Sequence, residues 1–452
     1  MTRPASASRW RGFAPAQAIV LGFGAVLVVG TLLLWLPVSA APGSRTSFVD
    51  ALFTATSALC VTGLVVVDTA SHWSGFGLAV ILVLIQLGGL GIMVFAALVG
   101  IVLARRLSVR ARMNAVTEAK TLGAPNVRRI VAGIFLTSII IEAVVALMLL
   151  VRFLIGYRGD YGIGEAIWMA VFHSISAFNN AGFALQSDSM MGFAADPWIL
   201  LPMCAAIIVG GVGFPVLREL RREFRHPLHW SMNTRIVLAA TVTLLVLSTL
   251  VITAMEWTNA DTLGGEDPWV RVLGGFFHAV QTRTAGFNSV DIGLMHDETW
   301  LVTDILMFIG GGPAGTAGGI KVTTFAVLLF ILWTELRGGT AVNIFGKRLS
   351  RSVHRQAISV VLVAIAGIVV VTLVILAMTD LELDKVLFEA ISAFGTVGLS
   401  TGITGDLPDP ARVLMSILMF LGRLGPLTLG SALALRERKA AYELPKERPA
   451  IG

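Results

Sequence analysis

Eight strongly apolar runs, near residues 16–37, 76–104, 129–155, 197–217, 236–255, 301–334, 357–378 and 411–435, restrict what this sequence can fold into. Each is about long enough to cross a bilayer as a helix, and none alternates polar with apolar residues as a barrel strand would. Between them lie four shorter, semi-polar segments, near 48–60, 163–179, 270–282 and 384–394. These are too short to span and too apolar for ordinary loops, so re-entrant pore helices fit them. With 56% hydrophobic and 14% charged residues, the chain has more apolar surface than one water-soluble core can hide. The expected fold class is an all-α polytopic membrane protein. It has four tandem helix–pore loop–helix repeats, giving eight spanning helices and four re-entrant pore helices around a central pore.

Charge sets the expected orientation. Arg105, Arg106, Arg110, Arg112, Lys120, Arg128 and Arg129 crowd one loop, Arg218, Arg221, Arg222, Arg225 and Arg235 a second, and Arg337, Lys347, Arg348, Arg351 and Arg355 a third. The alternate loops are acidic, with Asp188, Asp196, Asp261, Glu266, Asp267, Asp291, Asp297, Glu298, Asp380, Glu382, Asp384, Asp406 and Asp409. Basic loops stay on the cytoplasmic side of a cell membrane, so both termini are expected inside. An acidic outer face concentrates cations there. Such alternation does not suit a nucleic-acid-binding surface, so the net charge of +6 implies no nucleic acid partner. The expected divisions are a cytoplasmic N-terminus (1–15), repeat 1 (16–104), a linker (105–128), repeat 2 (129–220), a linker (221–235), repeat 3 (236–336, with an intramembrane loop at 310–321), a linker (337–355), repeat 4 (356–436) and a tail (437–452). The first apolar run is preceded by Arg3, Arg9 and Arg11 and ends in Val38-Ser39-Ala40, like a signal peptide, but it is too long for a signal core and reads as a retained span. Cys60 and Cys204 have no CxxC or Cys/His spacing, so neither a metal site nor a disulfide is indicated.

The repeat is visible in four related segments: FTATSALCVTGL (53–64), FHSISAFNNAGF (172–183), FFHAVQTRTAGF (276–287) and FEAISAFGTVGLS (388–400). Each carries a glycine, at Gly63, Gly182, Gly286 and Gly398, ten residues after a phenylalanine, at Phe53, Phe172, Phe276 and Phe388. A desolvated monovalent cation needs several oxygen ligands, and rings of backbone carbonyls supply them in potassium filters. Glycine lets such carbonyls share one axis at low conformational cost. The expected filter walls are Cys60-Val61-Thr62-Gly63, Asn179-Asn180-Ala181-Gly182, Arg283-Thr284-Ala285-Gly286 and Gly395-Thr396-Val397-Gly398, with K+ held by their backbone carbonyls. Only the fourth contains Thr-Val-Gly. Thr62, Asn180, Thr284 and Thr396 can add side-chain oxygens or brace the strand. Arg283 would repel K+ if it lined the path, and is expected to pair with an acid behind it.

A second glycine-bearing element follows each segment within the next helix: LGGLGIM (87–93), VGGVGFPVL (209–217), IGGGPAGTAGG (309–319) and LGRLGPLTL (421–429). For the first two copies, a weakened helix and small-residue helix packing are both open readings. The third copy, Gly310, Gly311, Gly312, Pro313, Ala314, Gly315, Thr316, Ala317, Gly318 and Gly319, has six glycines in ten residues, and is expected to unwind across the path as a gate, with Lys321 helping to hold it closed. It is no phosphate-binding loop, because Ile320 separates Gly319 from Lys321 and no strand precedes it. Arg423 stands where the other copies have Gly89, Gly211 and Gly311. An arginine in mid-span is costly and faces an interior cavity, so Arg423 is expected below the filter as a barrier or an anchor. His173 and His278 read as buried, hydrogen-bonded residues, and Glu142 as a mid-span acid whose partner the sequence does not identify.

In SALCVTGLVVVDT, SAFNNAGF, TRTAGFN, FGTVGLSTG, GGGPAGTAGGIKVTT and LGRLGPLTL the chain resembles the Trk/Ktr/HKT superfamily of potassium transporters, over almost its whole length. One span before the first pore loop makes it similar to the Ktr membrane subunits. The resemblance implies a homodimer with one pore per protomer, K+ uptake with Na+ as an activator, and 310–319 and Arg423 as gating elements. It also implies a separate cytoplasmic ring of RCK-type regulatory subunits that binds ATP or ADP, while this chain carries no cofactor itself. Cys60 departs from the small residue usual at that place, which puts only a side-chain role there in doubt. A coupled K+/Na+ or K+/H+ symporter with a midplane site is an alternative reading. A membrane-embedded enzyme is a remote one, since the spans hold almost no His, Asp or Glu.

Overall fold

The computed structural model describes residues 15–105, 127–339 and 341–425. The expected N-terminal segment up to residue 14, the basic residues from Arg106 to Lys120 and everything from 426 onward lie outside these residues.

Repeat 1 consists of α1 (Pro15–Trp35), the short α2 (Phe48–Cys60) and α3 (Gly75–Arg105). Repeat 2 consists of α4 (Val127–Gly156), α5 (Ile163–Phe178), α6 (Pro197–Val212) and α7 (Phe214–Glu223). Repeat 3 consists of α8 (Met232–Met255), α9 (Pro268–Gln281), α10 (Asp297–Phe308) and α11 (Val322–Leu336). A two-residue hairpin, β1 (Asn343–Ile344) with β2 (Lys347–Arg348), precedes α12 (Arg351–Leu376), α13 (Leu383–Gly395) and α14 (Asp409–Leu424) of repeat 4. The short helices α2, α5, α9 and α13 fall within a few residues of the four segments expected to be pore helices. Among the described residues, Val131–Gly156, Met232–Met255 and Arg351–Leu376 are each long and apolar enough to cross a membrane.

Local chemistry explains the boundaries. The Ser47 hydroxyl accepts from Asp50 N at 3.0 Å and starts α2. Asp196 caps α6 ahead of Pro197, a residue suited to the first helical position. The run at 197–217, expected as one span, is instead broken. Gly213 takes a φ of +98°, and α7 leaves α6 at 97°. Pro215 cannot donate to a continued helix and opens the new one. The run at 301–334 breaks where expected, between Phe308 and Val322, and its ends are stitched by Gly310 N to Ile320 O at 2.8 Å and Val322 N to Gly311 O at 2.9 Å.

Phe53, Phe172 and Phe388 are fully buried in the pore helices. The third member departs from the pattern: Phe276 is half-buried and its neighbour Phe277 fills the core. That pore helix ends at Gln281, five residues before its glycine rather than three or four, so counting back ten reaches a different helix face.

The acidic face is not purely acidic. Arg152 pairs with Asp196 at 2.7 Å, and Arg412 on α14 pairs with Asp50 on α2 at 2.6 Å. The second bond fastens the last repeat to the first, and both partners are mostly buried. Replacing Arg412 with methionine strands the Asp50 carboxylate. The expected loss of stability is about 1.5–3 kcal/mol, the worth of a charge-assisted hydrogen bond, seen as a lower melting temperature in detergent.

Candidate functional site

Each pore helix delivers its segment to a common centre through the same backbone device. The residue two before each glycine has positive φ: Val61 (56°), Asn180 (60°), Thr284 (68°) and Thr396 (50°). The glycines follow at 94°, 70°, 78° and 93°. A left-handed β-branched residue is a real outlier, and each such position costs about 1–3 kcal/mol, so the surrounding structure must impose it.

The four segments close a ring in chain order. A Cβ built on Gly63 would lie 2.6 Å from Ala181 O and 3.1 Å from Gly182 Cα. One on Gly182 would lie 2.8 Å from Ala285 O and 3.0 Å from Gly286 Cα. One on Gly286 would strike Val397 O, and one on Gly398 would strike Thr62 O and stand 3.0 Å from Gly63 Cα. Every glycine thus abuts the next segment's backbone, and the fourth abuts the first. All four line one cavity of about 320 Å³, together with Asp68, Asp188 and Asp291. Partial burial works against the Asp68 carboxylate. Hydrogen bonds from Ser71 (2.5 Å), Ser187 (2.7 Å) and Ala70 N (3.2 Å) outweigh it and hold the pKa below its ordinary value. Asp68 therefore stays charged to more acid pH than a free aspartate.

Side chains on the pore helices brace the ring. Ser57 and Ser392 accept from Gly63 N (3.1 Å) and Gly398 N (3.0 Å), six residues on. Ser176 donates to Phe183 O at 2.8 Å, and Gln281 accepts from Phe287 N at 3.1 Å. The recurring serine six residues before the glycine was visible in three of the four segments and was not singled out as a brace. Glu142 on α4, only 7% exposed, receives Gln86 Nε2 at 3.0 and 3.2 Å and Asn179 Nδ2 at 3.3 Å. The mid-span acid thus stands directly behind the second segment. His173 Nδ1 faces Met169 O at 2.8 Å while Nε2 faces Leu185 N at 3.2 Å. One partner only accepts and the other only donates, so the neutral imidazole with its proton on Nδ1 satisfies both. His278 is bonded to Thr303 at 3.1 Å.

Arg283 has no acidic partner among the described residues, contrary to expectation. Its Nη1 donates to Thr241 O at 3.3 Å. A backbone carbonyl of α8 was within reach, and no carboxylate lies on that helix until Glu256 caps its far end.

The glycine-rich loop, Ile309 to Lys321, sits against the ring. Gly312 N donates to Gly211 O at 2.7 Å, Thr316 N to Gly210 O at 3.1 Å, and Phe214 N to Ala314 O at 3.2 Å. The loop therefore docks on the break in repeat 2. Its Thr316 hydroxyl donates to Asn180 Oδ1 at 2.9 Å. Lys321 Nζ reaches back to Ala317 O at 2.6 Å. Arg423, 3% exposed, donates through Nη1 to Thr316 O and through Nη2 to Gly88 O at 2.8 Å. It ties the loop to repeat 1. Gly88, Gly210 and Gly422 lie against the carbonyls of Leu59, Phe178 and Phe394, where a Cβ would collide. In these three copies the glycine element is a close contact between the second helix and the end of its pore helix. In the third copy Gly310 faces Gly318 O within the loop instead.

The sequence matches the TrkH family of cation transport proteins over residues 13–438. The chain belongs to this family. Among TrkH-family relatives it is 39% identical over 436 residues to the Ktr system potassium uptake protein B of Bacillus subtilis, covering 95% of each chain. It is 33% identical over 445 residues to the potassium/sodium uptake protein NtpJ of Enterococcus hirae, covering 97% of each. The crystal structure of the potassium transporter TrkH from Vibrio parahaemolyticus has the same fold, with a TM-score of 0.76 at 20% identity over 96% of this chain and 87% of that one. These matches make the chain a multi-pass helical membrane transporter.

Proposed function

We propose that this chain is the ion-translocating subunit of a K+ uptake system, and that K+ passes the ring of Gly63, Gly182, Gly286 and Gly398 on filter carbonyls. The observation that carries the reading is ring closure, in which each filter glycine abuts the next segment's backbone and the fourth returns to the first. Two relatives named as potassium uptake proteins support K+ as the cargo, and the name of NtpJ supports Na+ as a second ion. The loop 310–319 is the gate, seated by Lys321 and Arg423. Ktr system proteins bear names of multi-component systems, which supports a regulatory partner in trans. A cytoplasmic RCK-type ring binding ATP or ADP fits that place, with this chain as a homodimer in the cell membrane and both termini cytoplasmic.

The test is growth of an uptake-deficient strain at limiting K+, with the chain expressed together with a nucleotide-binding regulator. Rescue is expected, and its absence would count against the reading. A coupled symporter would show no downhill K+ flux without a coupling ion in reconstituted vesicles. The gate has its own test. A Cβ on Gly315 would lie 2.8 Å from Gly211 O, and one on Gly318 would strike the Thr396 side chain. Gly315→Ala and Gly318→Ala unseat the loop and raise K+ flux in vesicles; flux equal to the native chain's would sink the gate.

A further inference from the structure

We propose that Thr316 makes filter selectivity depend on the seat of the intramembrane loop: its hydroxyl, bonded to the Asn180 amide, sets how the second and third filter segments face each other. This rests on the filter and gate assigned above. Val61, Asn180, Thr284 and Thr396 occupy equivalent left-handed positions. Among them only Asn180 uses its side chain. Val61 has no polar atom there, and the Thr284 and Thr396 hydroxyls are buried without a partner. The Asn180 amide is fully buried and bridges two elements, with Oδ1 accepting from Thr316 Oγ1 at 2.9 Å and Nδ2 donating to Arg283 O at 3.3 Å. A backbone carbonyl only accepts, so the nitrogen must face Arg283 and the oxygen must face Thr316. The amide orientation follows from chemistry. Arg283 is itself pinned by its bond to Thr241 O.

Thr316 is held by its backbone independently of its hydroxyl. Its N donates to Gly210 O at 3.1 Å, and its carbonyl receives Arg423. Any loop movement that breaks those two bonds also withdraws the hydroxyl from Asn180. A buried acceptor left unpaired is costly, and the amide relieves that cost by turning. Turning removes Nδ2 from the Arg283 carbonyl and frees the third segment against the second. Discrimination among monovalent cations depends on the number and placement of carbonyl ligands. The filter under a displaced loop is therefore less selective than the filter over a seated one.

The test uses purified full-length protein in proteoliposomes, with K+ and Na+ flux measured on the same preparations. Thr316→Val is close to isosteric and keeps both backbone bonds while deleting the hydroxyl. Asn180→Asp keeps an acceptor for Thr316 and deletes the donor to Arg283. Both are expected to raise the Na+-to-K+ flux ratio severalfold, and Thr316→Ser to restore the native ratio. If Thr316→Val and Asn180→Asp change both fluxes by the same factor, the loop gates without touching the filter and the coupling is overturned. If Thr316→Val does not fold, Thr316→Ala, which also lacks the hydroxyl and keeps both backbone bonds, supplies the deciding ratio. Native protein that passes no K+ would overturn the conduction reading as well; a K+-selective native protein with unchanged ratios in the variants would overturn the coupling only.

Discussion

Gly286→Ser is expected to abolish K+-selective uptake while leaving an inserted, folded protein. Gly286 has a φ of +78°, and a Cβ there would strike Val397 O with Gly398 Cα only 3.1 Å away. The obstacle is the backbone of the fourth segment, which cannot rotate aside as a flexible side chain would. That segment is held by Ser392 at Gly398 N, so the displacement is passed to the carbonyls facing the path. A left-handed serine adds about 1–3 kcal/mol of strain, too little to unfold a multi-helix bundle and enough to misplace an oxygen ring. The measurement is growth at limiting K+ and its inhibition by Na+, alongside membrane abundance. Native growth at low K+ would remove Gly286 from the permeation path.

Arg423→Ala is expected to raise downhill K+ flux through the reconstituted chain, in the absence of any regulator, by about tenfold or more. Arg423 spans the loop and repeat 1 through the carbonyls of Thr316 and Gly88. Two charge-assisted hydrogen bonds are worth about 1.5–3 kcal/mol each, and about 1.4 kcal/mol already shifts an equilibrium tenfold. Loss of the guanidinium also removes a positive charge beside the proposed cation path. Arg423→Lys keeps the charge but not the two-pronged reach, so its flux should fall between native and alanine. Flux no higher than native in Arg423→Ala would discard the anchor.

Much of this architecture was legible because each span must bury its own backbone hydrogen bonds, which makes apolar length a direct signal. The four glycine segments were legible as elements that meet, and the glycine run 310–319 as a break in the second helix of repeat 3. What escaped was set by contacts between distant parts of the chain. Arg283 takes a carbonyl of α8, where a charge argument called for an acid. The break at Gly213 was one of two open readings for 209–217, and hydropathy could not decide it, since an apolar run does not register a φ of +98°. Glu142 had no assignable partner until α3 and the second glycine segment were brought beside it. For the first two copies a weakened helix and packing were both open: Gly88 and Gly210 pack against the carbonyls of Leu59 and Phe178, and the second copy also breaks, at Gly213.

The ring runs in chain order and is closed by Gly398 against Thr62 and Gly63 and by Arg412 against Asp50. During synthesis this order has a cost. The first three walls enter the membrane with one side open, and the wall that completes them is made last. Until α14 arrives, Asp50 has no Arg412 and Gly63 has no fourth neighbour. A chain stopped between the third and fourth repeats has three walls and lacks both the Gly398 contact and the Arg412 pair that close the ring.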